Sequence, residues 1–226
     1  KGQYLNIMKT LSRRKILKLS ALSGVAALFS KHSLARITSL MPTPSETQGP
    51  FYPVHQQRDK DIDLTHLNDH AIPARGQYIV VRGQVLDIAG NSIDGALLDI
   101  WQADANGRYR HPLDRNPAEL DPNFQGWAMI ASDNHGNFEF KTVMPGAYPA
   151  DKNWIRPPHI HFKISKQGYR TLTTQMYFPD EKLNDADLLL RSKSIAERAA
   201  MMAKKLEPEG NLPIYRYNIV LDLLGN

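Results

Sequence analysis

The residues with the clearest capacity for chemistry lie between Tyr148 and His161, in the run Tyr-Pro-Ala-Asp-Lys-Asn-Trp-Ile-Arg-Pro-Pro-His-Ile-His. His159-Ile160-His161 opens an alternating stretch, His-Ile-His-Phe-Lys-Ile, whose period of two predicts a β-strand. On a strand, side chains two apart leave from one face, roughly 7 Å apart at about 3.3 Å rise per residue. Two imidazoles so placed can converge on a metal ion about 2.0–2.1 Å from each nitrogen. Pro157-Pro158 stiffens the approach by fixing φ and biasing the preceding residue towards extended backbone. A bare His-x-His also describes a hydrogen-bonded or surface pair, so the remaining ligands must be sought elsewhere.

No cysteine is available, which excludes thiolate ligands, iron–sulfur clusters, disulfides and a thiol nucleophile. The remaining donors are carboxylates, the scattered His32, His55, His66, His70, His111 and His135, and tyrosines. Tyr109 follows the turn signal Asn106-Gly107 and Tyr148 follows Pro145-Gly146, placements that suit a ring aimed into a cleft or a core tyrosine with a solvated hydroxyl.

Short strands separated by turn signals must carry these groups. Tyr78–Leu86, Ala96–Trp101, Phe138–Val143, Thr171–Phe178 and Tyr215–Leu223 read as strands, which together predict a mainly β, antiparallel sandwich with long loops. Asp99 is expected on a different layer from Leu98 and Ile100. One helix is predicted over Ile195–Leu206, opened by the capping box Ser194-Ile-Ala-Glu197 and lined on one face by Ile195, Ala199, Met202 and Leu206.

The 226 residues, 42% hydrophobic and 23% charged, suit a soluble globular protein with one compact domain. The net charge of +5 is misleading, because seven positives and no acid lie in residues 1–35, leaving the rest slightly acidic. The basicity is therefore no sign of nucleic-acid binding. Ser12-Arg13-Arg14-Lys15-Ile16-Leu17, a short apolar run to Phe29, and Ser33-Leu34-Ala35 resemble a twin-arginine export signal over residues 1–35. Met8 is the expected start, with residues 1–7 upstream of it, and the apolar run is too short for a stable membrane anchor. The mature protein is thus expected in the periplasm or secreted. Residues 36–60 read as an extended arm and 61–226 as a single catalytic β-sandwich domain.

The motifs also occur in a recognisable order. Trp101-Gln-Ala-Asp-Ala-Asn-Gly-Arg-Tyr-Arg-His-Pro112, Leu120-Asp-Pro-Asn-Phe124, Pro145-Gly-Ala-Tyr-Pro149, Trp154-Ile-Arg-Pro-Pro-His-Ile-His-Phe162 and Thr174-Gln-Met-Tyr-Phe178 span most of the chain. This order closely resembles the intradiol ring-cleavage dioxygenases, above all the protocatechuate 3,4-dioxygenase β-chain branch. The resemblance implies a prealbumin-like sandwich and a mononuclear non-haem Fe(III) held by Tyr109, Tyr148, His159 and His161. It implies that Tyr148 is the ligand displaced by substrate, that Arg156 lies beside the substrate ring, and that Gln175 sits behind both. Tyr52, in Gly49-Pro-Phe-Tyr-Pro53, matches a segment at the active-site mouth, and Ala150 and Trp154 are further pocket candidates. The implied reaction is O2-dependent cleavage of a catechol to a cis,cis-muconate.

The chain departs from the family where Ala150 replaces a bulky aromatic, where the Tyr148–Trp154 loop is shorter, and where the arm is too short for the helical dimerisation region of catechol 1,2-dioxygenases. A homo-oligomer or a paired α-like chain is the expected assembly. A non-catalytic aromatic-binding sandwich and a zinc or copper His-x-His enzyme are the competing readings; the two tyrosines argue against zinc, which prefers His, Cys and carboxylate.

Overall fold

A computed structural model describes residues 39–225. The export signal and the start at Met8 lie outside the described residues. From Ser39 to Lys60 the chain contains neither helix nor strand.

Eleven strands follow: β1 (Tyr78–Asp87), β2 (Leu97–Trp101), β3 (Trp127–Ala131), β4 (Asn137–Val143), β5 (Tyr148–Asp151), β6 (Trp154–Arg156), β7 (His159–Ser165), β8 (Leu172–Tyr177), β9 (Lys204–Glu209), β10 (Leu212–Arg216) and β11 (Ile219–Leu221). Between β8 and β9 lie a 3-10 turn at Lys182–Asp185 and two short helices, α1 (Leu188–Arg191) and α2 (Ile195–Met201). One sheet is antiparallel in the order β3-β2-β7-β8. In the other, β1 pairs antiparallel with β4 along one edge and parallel with β10 and then β11 along the other, and β9 closes on β10. The sheets meet through Ile79, Val81, Phe138 and Phe140 on one side and Leu98, Ile100, Ile160, Phe162 and Met176 on the other, all buried in one cluster. This is a β-sandwich.

The sandwich is the expected one, with its second sheet mixed because β1 pairs antiparallel with β4 and parallel with β10 and β11. Two expectations need correction. The run Tyr215–Leu223 is not one strand: it breaks at Tyr217-Asn218, where the Tyr217 N–H donates to the Arg82 carbonyl at 2.9 Å and the pairing passes from β10 to β11. The helix starts as expected, with Ser194 and Glu197 forming both halves of the capping box, but ends at Met201. Beyond it, Lys204–Glu209 pairs with β10 as a hairpin, so the strand partner overrides helical periodicity. The buried residue of α2 is Met201, whereas Ile195 is 87% exposed.

The period of two now explains where the site lies. On β7, Ile160, Phe162 and Ile164 enter the core, so His159 and His161 must face the opposite side of that sheet. There the arm and the long loops cover them, and each is 2% exposed.

Candidate active site

Cross-strand register sets up one row of side chains over the outer face of the antiparallel sheet. Trp127 on β3 pairs with Trp101 on β2, Trp101 with His161 on β7, and His161 with Gln175 on β8. Two pairs further along, on the same face, His159 is opposite Tyr177. Trp101 stacks on His161, rings 4.8 Å apart and 10° from parallel, which fixes the imidazole plane.

The two tyrosines arrive on loops that are tied together. The Asp104 carbonyl accepts from both Gly107 N–H (3.0 Å) and Gly146 N–H (2.9 Å), joining the turn before Tyr109 to the turn before Tyr148. Gly107, at φ +77°, has no room for a side chain: a Cβ there would overlap the Ala147 carbonyl oxygen and lie 3.3 Å from Tyr148 Cβ. A Cβ on Gly146 would lie 2.6 Å from the Ala105 carbonyl oxygen. Two missing side chains thus let the loops touch. The Asp104 side chain accepts from Asn106, Arg108 and Asp121 N–H groups, and Asp114 accepts from Tyr109 N–H at 2.7 Å. Burial pushes the Asp104 carboxyl up. Neither aspartate was marked by sequence reasoning, since turn carboxylates are common; the Asp-x-Asn-Gly spacing was the available signal.

The outcome is a closed ring of four aromatic side chains. Centroid separations are 5.4 Å for Tyr109–Tyr148, 5.6 Å for Tyr148–His159, 4.8 Å for His159–His161 and 6.0 Å for His161–Tyr109. Tyr109 Oη lies 3.0 Å from His161 Nε2. His159 Nδ1–H donates to the Pro157 carbonyl at 2.6 Å, which leaves Nε2 as the nitrogen with the free lone pair. That Nε2 is buried and has no hydrogen-bond partner among the described residues, as is His161 Nδ1. Burial, with a smaller contribution from the Arg156 charge, holds His159 well below the usual imidazole range and His161 down at about 3. Both rings are therefore neutral, the form that ligates a metal. Burial pushes both phenols up, Tyr109 well above its ordinary value.

These donors fit a metal ion. An unpartnered buried imidazole nitrogen costs free energy unless something occupies it. The 3.0 Å between Tyr109 Oη and His161 Nε2 matches two ligands at roughly a right angle about a metal with bonds of ~2.0–2.1 Å. No cluster of three His, Cys, Asp or Glu able to hold a metal occurs among the described residues, so a site here depends on its tyrosines.

Beside the ring opens a cavity of about 590 Å³, large enough for a single aromatic ring with substituents. Tyr148, His161, Arg156, Ala150 and Trp154 all line it, as does Phe51 from the arm. Arg156 is 4% exposed, and its guanidinium is held on several sides. Nε donates to Asp187 at 2.7 Å, one Nη donates to Gln175 (2.6 Å) and Tyr177 (2.9 Å), and the Trp154 ring lies 5.4 Å away. Gln175 is fully buried behind Arg156 and also donates to the Thr47 carbonyl, linking the arm to the site. Asp187 was not anticipated; its only sequence signal is that of an ordinary helix cap before Leu188.

Tyr52 does not line this cavity. Its hydroxyl donates to Asp99 at 2.5 Å and its ring stands edge-on to Trp101 at 5.0 Å, so its neighbour Phe51 forms the wall instead. Asp99 lies, as expected, on the layer opposite Leu98 and Ile100, and accepts from Trp127 Nε1 as well. His111 packs near Phe51 (5.8 Å) and is not part of the four-ring cluster.

A family profile described as dioxygenase matches residues 47–223. The chain is 35% identical over 191 residues to the protocatechuate 3,4-dioxygenase beta chain of Burkholderia cepacia, covering 80% of this chain and 81% of that one. It is 32% identical to the alpha chain from the same organism, over 81% of this chain and 93% of that one. Among solved structures, the dioxygenase domain of a dioxygenase–carbohydrate-binding protein fusion from Streptomyces sp. SirexAA-E matches with a TM-score of 0.62 at 28% identity, covering 81% of this chain and all of that domain. Sandwich, site and matches agree on an aromatic-cleaving type of enzyme: the chain belongs to the intradiol ring-cleaving dioxygenase family.

Proposed function

We propose that the protein is a non-haem Fe(III) enzyme that cleaves a catechol-type aromatic with O2 to a cis,cis-muconate-type product. The observation that carries this reading is the closed ring of Tyr109, Tyr148, His159 and His161, with an unpartnered His159 Nε2 and paired Tyr109 and His161 donors at its centre. Phenolate oxygen with neutral imidazole is a donor set suited to a hard trivalent ion, and a nearby metal charge offsets the upward push of burial on both phenols. When bound, Fe(III) would hold the catechol oxygens and draw electron density from the ring towards reaction with O2.

The chain's own residues account for the rest. Pro157 keeps the His159 proton on Nδ1, so that Nε2 stays available. Trp101 holds the His161 ring in plane. Tyr148, which lines the cavity where Tyr109 does not, is the ligand a catechol would displace, and its Oη would take up a catechol proton on leaving. Arg156 faces the same cavity and would stabilise negative charge developing on the ring; its second Nη makes no hydrogen bond to the protein among the described residues. Gln175 holds Arg156 from behind. Ala150 leaves room beside Tyr148, which favours a substituted catechol.

The test is the visible spectrum of the purified protein, followed by anaerobic addition of catechol. A tyrosinate-to-Fe(III) band that moves to longer wavelength with catechol supports the reading, and Tyr109→Phe should weaken or move it. A protein still colourless after iron reconstitution overturns it. Export by the twin-arginine route is part of the same proposal; it fails if the protein stays in the cytoplasm on fractionation and Arg13→Lys/Arg14→Lys changes nothing. Pairing with an α-like chain or with itself is read from the mass of the purified species.

A further inference from the structure

We propose that Asp187 is a positioning residue for catalysis, acting through Arg156 on the substrate. The inference rests on the proposed catechol reading and deepens it. Asp187 and the Arg156 side chain form an ion pair removed from solvent, 0% and 5% exposed respectively. The bond is made at Nε, 2.7 Å from Asp187 Oδ2. Binding at Nε rather than across the two terminal nitrogens fixes the rotation of the planar guanidinium, because Gln175 and Tyr177 then take one Nη on the same fork. The other Nη is left for the cavity.

The second carboxylate oxygen does a different job. Asp187 Oδ1 accepts from Leu190 N–H at 2.8 Å, capping α1, and lies 3.5 Å from the Tyr177 hydroxyl. Asp187 thereby ties three elements together: Arg156 at the end of β6, Tyr177 at the end of β8, and the first turn of α1. Leu189 of that turn lines the cavity. One carboxylate thus sets both the guanidinium and a turn that supplies part of the cavity wall.

Two roles must be separated, since an aspartate that only caps a helix would look similar in a single deletion. Asn caps as well as Asp does, so Asp187→Asn keeps the cap and removes the charge at Nε. We expect Asp187→Asn to lower kcat for catechol by about 10²-fold, the scale of a displaced catalytic group. The anaerobic catechol Kd and the tyrosinate-to-iron band should change far less, since neither depends on the guanidinium's rotation.

The deciding experiment is a double-mutant cycle with Arg156→Gln. If Asp187 acts through Arg156, Asp187→Asn costs nothing further in the Arg156→Gln background, and the double variant has the kcat of Arg156→Gln alone. That double variant also removes both buried charges, so it folds even where Asp187→Asn alone leaves Arg156 unpaired and melts early. Additive losses of kcat overturn the proposal and leave Asp187 a structural cap, as does an Asp187→Asn enzyme with wild-type kcat. A wild type that cleaves no catechol overturns the underlying reading, and the proposal with it.

Discussion

Gly107→Ala is the substitution that most directly examines how the two tyrosines are brought together. Gly107 sits at φ +77°, where an alanine is strained by roughly 1–2 kcal/mol. Its new Cβ would also overlap the Ala147 carbonyl oxygen, lie 3.0 Å from the carbonyl carbon and meet Tyr148 Cβ at 3.3 Å. Backbone atoms cannot step aside as a side-chain tip can, so an overpacking cost of about 1–3 kcal/mol is added. The two together come to about 2–5 kcal/mol, which lowers the melting temperature by roughly 4–20 °C in a domain of this size. The strain is released by moving the strand that begins at Tyr148. The variant should therefore take up iron less completely and show a shifted tyrosinate band, and Gly146→Ala, at the other half of the contact, should do the same. Differential scanning calorimetry and the visible spectrum are the assays. A Gly107→Ala protein melting within 2 °C or so of wild type with an unchanged band would refute the reasoning, because 1 kcal/mol alone is worth about 2–4 °C.

Other expectations are as direct. Met201→Ala should destabilise by about 2–5 kcal/mol, as for any large buried side chain, whereas Ile195→Glu should fall within about 0.5 kcal/mol of wild type in urea unfolding. The reverse order would mean that α2 buries the face its periodicity predicts. Tyr52 is held up to about 12 by burial and its Asp99 bond, against about 10 unfolded. Its contribution to stability is thus fully present below pH ~10 and lost as pH rises through ~12. Ultraviolet titration should find a fraction of a phenolate fewer near pH ~11 in the wild type than in Asp99→Asn, which removes the Asp99 part of the shift and leaves the burial part, and equal counts would contradict the assignment. Stripping the metal with a chelator should bleach the visible band and lower the melting temperature, since a ligand that binds only the native state stabilises it; an unchanged melt would argue that the four-ring cluster holds no metal.

Much of the site is legible in the sequence because strand periodicity is local. His159 and His161 share a face by the geometry of β7 alone, and the same alternation sends Ile160 and Phe162 into the core. What could not be read depends on register between strands far apart in the chain. Nothing near Trp101 shows that it will stack on His161, because that contact exists only once β2 pairs with β7. Asp187 is 31 residues beyond Arg156 and looks like a helix cap, which it also is. Tyr52 was expected at the mouth on the strength of its neighbours, but a one-residue step along the arm exchanges it with Phe51. The same kind of error lengthened the helix: Ala203–Leu206 has helical composition, and only the partner strand β10 decides against it.

The arm has a consequence for how the protein comes into being. Thr43 exchanges hydrogen bonds with Val220 on β11, its N–H to the carbonyl at 2.9 Å and its hydroxyl from the N–H at 2.8 Å. Pro44 and Thr47 accept from Thr174 and Gln175 on β8. The cavity wall from Thr47 to Phe51 is therefore pinned to strands made more than a hundred residues later. Such contacts close the longest loops in the chain and form late in folding. On a ribosome, a chain still short of β8 has the tyrosine turns and the histidine strand but no anchored wall to enclose them. The pocket is thus completed only after β8, and a metal bound there would enter a largely built fold rather than a growing one.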